Sequence, residues 1–230
     1  MKNGSLVKVG GVSAILVGVS LGMMRVSGIF GIEGFDTTEE SLLYIADHLT
    51  VYLTQQSFML LTFLLIVPAA LGLYWALRQA GSVAVIATVA VMAGALIGVG
   101  SAFLNLSLWD RLAPAYVEAD AATRLTLEVM YQTLIGVGPS HAVAWFLLAG
   151  IGVGLFSFAI LRTALLPKWI AWLGLFVALA GGLHLLTAVS DADALWVLHE
   201  IKFDSFNLWT LAVGVALLRL REPVKVDAGG

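Results

Sequence analysis

The sequence predicts an all-α, polytopic membrane protein: a bundle of about six transmembrane helices. Of the 230 residues, 60% are hydrophobic and only 12% are charged. The mean hydropathy is +0.97. Apolar stretches long enough to cross a bilayer recur along the whole chain. A soluble domain is about 45–50% apolar and roughly a quarter charged, because it covers itself with polar surface. This chain carries too little charge for that, so hydrocarbon is the solvent its composition suits. The net charge of −3 includes no basic run and no basic–aromatic interleaving, which argues against a nucleic-acid partner. With no cysteine in the chain, disulfides, thiolate metal sites, cysteine nucleophiles and dithiol redox chemistry are excluded.

A span needs about 20 mostly apolar residues to cross roughly 30 Å of hydrocarbon. Segments 9–32, 50–77, 83–109, 141–161, 169–189 and 203–220 meet that length, and together they make one transmembrane domain over 1–230. Before the first, Lys2 and Lys8 resemble the start of a signal peptide. The run that follows is long, lacks an obvious small-residue cleavage site and reaches Arg25, so it reads as a retained first helix. The second contains Pro68, where a kink would widen a cavity. Gly18 with Gly22 in the first span and Gly94 with Gly98 in the third form small-xxx-small pairs, which let helices approach closely in lipid. Gly150, Gly152 and Gly154 crowd the fourth, and Gly181 with Gly182 marks the fifth. The fourth span has the least defined start. Segment 126–138 is apolar enough to be a separate interfacial or re-entrant helix, or an extension of span four beyond Pro139.

Charge orients the spans, because cytoplasmic connections are enriched in Lys and Arg. With the N-terminus inside, Lys2, Lys8, Arg78, Arg162, Lys168, Arg219, Arg221 and Lys225 fall on the cytoplasmic side. Only Arg25, Arg111, Arg124 and Lys202 fall on the other half. Among the acids only Glu222 and Asp227 are inside. The inner connections, 79–82 and 162–168, are short, while 34–49, 110–125 and 190–202 are expected as longer polar connections outside. A multi-pass protein of a plasma membrane follows, with both termini cytoplasmic.

Two stretches carry a family resemblance. Leu71-Gly72-Leu73-Tyr74-Trp75-Ala76-Leu77-Arg78 ends span two, and Leu166-Pro167-Lys168-Trp169-Ile170-Ala171-Trp172-Leu173-Gly174-Leu175 follows the run from Gly150 through Leu161. Both resemble the DUF4386 family of bacterial integral membrane proteins, over roughly spans two to five. The resemblance implies a compact multi-helix protein of the bacterial inner membrane and brings no catalytic residue with it. The second stretch also makes physical sense alone. Pro167 can occupy the first turn of a helix, where its missing N–H matters little. Lys168 and Trp169 then sit at the interface, where a cation and an indole are favoured.

Polar side chains at membrane depth are expensive and mark function by default. In the predicted topology all four histidines, His48, His141, His184 and His199, fall near the outer face. Arg25, Gln55, Gln56, Asn105, Asp110, Glu128, Gln132, Asp204 and Asn207 lie at about the same level. Three site chemistries fit this layer. An outward-facing cavity lined by Arg25, Gln55, Asn105, Gln132, His141, His184, Asp204 and Asn207 would orient a polar head, with aromatic side chains holding an apolar tail, so its ligand is lipid-like or small. A haem or metal site would use His141 and His184, with Glu200 or Asp204 for zinc, although the chain has no His-x-x-x-His, His-Glu-x-x-His or Glu-x-x-His. An intramembrane enzyme would use His141 or His184 as base near Asp204 or Glu128, with no serine nucleophile motif beside them. A homo-oligomer or a structural subunit of a membrane complex also fits the composition.

Arg25 is the sharpest single clue, lying up to roughly 10 Å inside the outer end of span one. It either snorkels to the interface or pairs with Asp204, Asp110 or Glu128. Glu200, Asp204 and Asn207 follow i, i+4, i+7 spacing and share one face of span six if helix begins before Phe203. Lys202 lies off that face.

Overall fold

The computed structural model describes residues 3–26, 37–135, 139–185 and 194–220. Among these it is helical with short connections and no strand: α1 (Asn3–Val26), α2 (Thr38–Asp47), α3 (Leu49–Leu77), α4 (Ser82–Glu118), α5 (Ala121–Ile135), α6 (Pro139–Trp145), α7 (Gly154–Thr163), α8 (Lys168–His184) and α9 (Ala194–Arg219). A 3₁₀ turn, Arg78–Ala80, joins α3 to α4, and an eight-residue π-helical segment, Phe146–Val153, joins α6 to α7 in one continuous rod. α1, α3, α4, this rod and α9 are long and apolar enough to cross a membrane, and α8 is a shorter apolar helix beside them. The outer ends expected at residues 32 and 189 lie outside the described residues.

These five helices and α8 form a ring in chain order. α1 packs on α3, α3 on α4, α4 on the α6–α7 rod, the rod on α8, α8 on α9, and α9 back on α1. The order in space repeats the order in sequence, with tight turns joining α3 to α4 and α7 to α8, and with α2 and α5 lying in the longer connections. The ring is filled, not hollow: Phe63, Trp145, Phe156, Phe206 and Trp209 meet in its middle within one apolar core. Small residues set how closely it closes. On α1, Gly10 faces α3, where a Cβ would come within 2.5 Å of the Gly72 Cα. Its neighbour Gly11 is turned toward α9, where a Cβ would come within 3.1 Å of the Gly214 carbonyl oxygen. α3 runs through Pro68 without a break, and the contact opposite it is occupied by Gly10, whose added Cβ would lie 3.1 Å from the Pro68 carbonyl.

Two expected connections are helical instead. Segment 110–125 continues α4 to Glu118, and α5 begins at Ala121 after a two-residue break. Trp109, Leu112, Ala113 and Tyr116 recur at helical spacing and are buried against Leu42 and Ile45 of α2, Tyr52 of α3 and Tyr131 of α5, forming a second apolar cluster. That stripe is the reason the helix does not stop at the membrane edge. With 37 residues, α4 is about 55 Å long, well beyond the hydrocarbon. Segment 34–49 likewise holds α2, whose N-cap Thr37 accepts a hydrogen bond from the Glu40 N–H at 3.2 Å. α5 ends at Ile135 and α6 begins at Pro139, and the junction that would make α5 a separate helix or an extension of span four, 136–138, lies outside the described residues. Asp120 caps α5, accepting from the Thr123 N–H at 2.9 Å, and that bond holds the exposed Asp120 carboxyl below its usual pKa. α5 then returns beside α4, with Tyr131 edge-on to Trp109 at 5.2 Å and the Tyr116 hydroxyl donating to Glu128 at 2.6 Å. Burial raises the Tyr131 pKa above its usual value. Span six also starts earlier than residue 203, with α9 beginning at Ala194.

The glycine contacts make a paired prediction. Gly72→Ala forces its methyl into the α1 backbone and should destabilise the protein by about 1–3 kcal/mol. Gly100→Ala, where a Cβ meets nothing within 4 Å, should be neutral or stabilising by up to about 1 kcal/mol. Unfolding midpoints of the two variants in detergent check the opposite signs.

Candidate functional site

Every described carboxylate lies at the end of the bundle that carries α2 and α5: Glu39, Glu40, Asp47, Asp110, Glu118, Asp120, Glu128, Glu200 and Asp204. The opposite end carries Lys8, Arg78, Arg162, Lys168 and Arg219. These are called the acidic and basic ends. At the acidic end, Arg25 in the last turn of α1 reaches across to α9. One guanidinium nitrogen pairs with Glu200, a second lies 2.9 Å from Asp204 Oδ1, and Nε donates to the same oxygen at 3.0 Å. The i, i+4 spacing of Glu200 and Asp204 puts both carboxylates on the face that meets α1. The side chains of Arg25, Glu200 and Asp204 are 29%, 45% and 66% exposed, so the cluster sits at the rim of the bundle. Of the partners weighed for Arg25, Asp204 is the one used. Glu128 is bonded to Tyr116, and Asp110 is exposed.

One turn further in, Asn207 lies against α1. A Cβ on Gly18 would come within 3.0 Å of its Oδ1, and one on Gly22 within 3.8 Å of its Nδ2. Asn207 Oδ1 is buried and has no hydrogen-bond partner among the described residues. Arg25, Asp204 and Asn207 therefore do share the α1–α9 seam. The other predicted lining residues stand elsewhere. Asn105 donates to Gln56 at 3.4 Å across α3 and α4. Gln55 is buried on α3. Gln132 belongs to the outer layer, where it donates to Thr38 Oγ1 at 3.2 Å and is exposed to solvent. His141 opens span four and His184 ends α8, but their side chains, like that of His199, lie outside the described residues. His48 stacks on the Tyr44 ring at 4.3 Å and sits 3.0 Å from the Tyr44 carbonyl, a local arrangement at the α2–α3 junction. Among the described residues no three His, Asp or Glu side chains cluster as metal ligands would.

Lys202 is the site residue that reading the sequence placed among the outer charges and passed over. It is fully buried, with Nζ 4.9 Å from the centre of the Trp145 ring and 4.7 Å from that of Phe203. Trp145 is itself packed among Phe63, Phe203 and Phe206 at ring separations of 5.7, 4.7 and 5.4 Å. A cation above an indole face is attracted by the ring quadrupole, and more so where water is excluded. The signal was present in the spacing. Lys202, Phe206, Trp209, Val213 and Leu217 recur at i, i+4, i+7, i+11 and i+15, and all five are buried. Deeper in the ring, Ala14, Ile66, Ala70, Val91, Phe156 and Phe206 help line a void of about 30 Å³. That is one water's share of liquid volume, too small to take a cofactor or an acyl chain.

The fold and this distribution define a polytopic all-α membrane protein whose described acids are segregated at one end of a filled six-helix ring. No family model, no curated protein and no solved structure matches the chain.

The Arg25 contacts yield a second prediction. Arg25→Ala should lower the unfolding midpoint in detergent more than Arg78→Ala, because it removes contacts to two carboxylates at a partly exposed rim, worth about 1 kcal/mol after solvent screening. Equal shifts for the two variants would mean that the cluster holds nothing together.

Proposed function

We propose that the protein binds a lipid-like or small anionic ligand at its acidic end, in the layer that contains Arg25, Lys202 and Asn207. The observation that carries this reading is the burial of the Lys202 side chain on the rings of Trp145 and Phe203. An ammonium has three donors and no acceptor, and holding it away from water is expensive unless an anion or aromatic faces compensate. Counting 1.5 Å per residue from the basic end, Lys202 and Arg25 lie at about the same depth, near the far edge of the hydrocarbon. Glu200 and Asp204 fix Arg25 in place, while Lys202 supplies the cation turned inward. The void beneath is too small for a tail, so a lipid-like ligand would dock its head here and leave its chains between the helices and the surrounding bilayer.

The ligand reading is tested by mass spectrometry of material that co-purifies with the protein. Wild type should retain an anionic amphiphile or small anion, Lys202→Met should lose it, and Lys202→Arg should keep part of it. An identical set of bound species in wild type and Lys202→Met would remove Lys202 from the site.

We further place the protein in a bacterial plasma membrane with both termini cytoplasmic. The support is the segregation of charge between the two ends, with basic residues on the cytoplasmic side by the positive-inside tendency, together with the resemblance to the DUF4386 family. A fluorescent protein fused after residue 230 should fluoresce, since it folds poorly after export. A dark C-terminal fusion with an active exported-enzyme fusion at the same position would reverse the orientation.

A further inference from the structure

The basic end has a feature that the acidic-end site leaves unused. The 3₁₀ turn Arg78–Ala80 packs against α7, which ends at Arg162 and Thr163. Each arginine stacks on an aromatic ring of its own helix: the Arg78 guanidinium carbon is 4.7 Å from the Trp75 ring centre, and that of Arg162 is 5.2 Å from Phe158. Stacking uses the flat face of a guanidinium, and although Arg78 Nη1 also donates to the Trp75 carbonyl at 3.5 Å, the remaining in-plane N–H groups are left for an oxyanion. Neither arginine, nor Lys168 nearby in the chain, has an ion-pair partner among the described residues, because no described carboxylate lies at this end. Glu222 and Asp227 lie outside the described residues. The buried indole N–H of Trp75, beneath Arg78, also has no acceptor among the described residues. Several donors thus stand at one rim without an anion.

The apolar side of the same rim says what kind of anion fits. α8 begins here, and Trp169, Trp172, Phe176, Leu179 and Leu183 recur at i, i+3, i+7, i+10 and i+14, all of them exposed. Trp169 and Trp172 are 57% and 64% exposed, at the level where indoles favour the headgroup region. The stripe runs about 21 Å along the helix, more than one leaflet's share of the hydrocarbon. It has no charged residue beyond Lys168 at its head, and segment 154–185 contains no acid. The cationic donors and this exposed stripe of aromatic and aliphatic side chains stand at the same end of the bundle, with α7 packed on α8.

We propose that Arg78, Arg162, Lys168, Trp169 and Trp172 form a binding site for an anionic phospholipid of the leaflet at the basic end. The phosphate lies on the edges of the two guanidinium groups and the lysine ammonium, the glycerol region lies against the two indoles, and the acyl chains follow the exposed stripe of α8. This site is independent of the one at the acidic end.

Bromine-labelled lipids test it, because they quench an indole only at contact. The full chain in mixed micelles is titrated with brominated phosphatidylglycerol or with brominated phosphatidylcholine, and the signal of W169F/W172F is subtracted to isolate these two indoles. The anionic lipid should quench at a much lower mole fraction, and each of R78Q, R162Q and K168Q should weaken its binding about fivefold. R111Q/R124Q, which removes the same kind of charge from the acidic end, should leave the preference unchanged. R162K keeps the charge but loses the fork, and should fall between wild type and R162Q. Equal quenching by the two lipids would overturn the proposal. So would R162K matching wild type, which would indicate diffuse attraction to a charged surface. Loss of the preference in millimolar inorganic phosphate would assign the donors to free phosphate instead. If R78Q or R162Q does not fold, the wild-type comparison of the two lipids and K168Q alone decide, and an unchanged preference in K168Q overturns the site.

Discussion

Everything in this structure depends on how closely α1 can approach two neighbours at once. In hydrocarbon, association between helices gains nothing from burying apolar surface, so contact distance decides which helices pair. α1 presents Gly10 to α3 and Gly11 to α9, and the absence of side chains at Gly10, Gly72 and Gly214 brings backbone against backbone on both seams. Those contacts close a chain of hairpins into a ring. Without closure, α9 would lose the whole of its α1 seam, and the Arg25 cluster would not form.

Closure also decides what the interior can tolerate. Large rings fill it, with Trp145 among Phe63, Phe203 and Phe206, and a void beside Phe156 and Phe206 holds only about 30 Å³. Into this packing the protein places one lysine, against aromatic faces that can partly replace water around an ammonium. The π-helical segment Phe146–Val153 follows Trp145 directly, and its wider turn brings Gly152 close to Val91 of α4 while Ala149 and Gly150 meet Gly181 of α8. π-helical turns within α-helices are frequent at functional sites, and this one supports the side chain on which Lys202 rests.

The two ends of the ring solve different problems. At the acidic end, carboxylates and amides are tied to one another across helices, and a small outer layer of α2, α5 and the end of α4 has an apolar cluster of its own. At the basic end, Arg78 and Arg162 are stacked on rings, and no described acid lies beside them. One end offers a structured polar layer, the other a charged rim facing lipid.

Much of this was legible in the sequence. Composition determined the solvent, the recurrence of long apolar runs determined an all-α polytopic bundle, and i, i+4 spacing put Glu200 and Asp204 on one face because helix geometry is local. Arg25 stood out because a charge at that depth needs a partner. What the tertiary structure decided was which partner, since Asp204, Asp110 and Glu128 satisfy the same local rule and only the α1–α9 contact selects among them. The same holds for Asn105 and Gln132, which share a level with Arg25 but face other seams. Segment 110–125 looked polar by composition, yet its Trp109–Tyr116 stripe becomes a helix face once α2 and α5 are there to bury it. Lys202 is the clearest case. Its spacing placed it on the buried stripe of α9, but a lysine near a membrane edge can equally snorkel to water, and it is the closed bundle that brings the rings of Trp145 and Phe203 against its ammonium and keeps it inside.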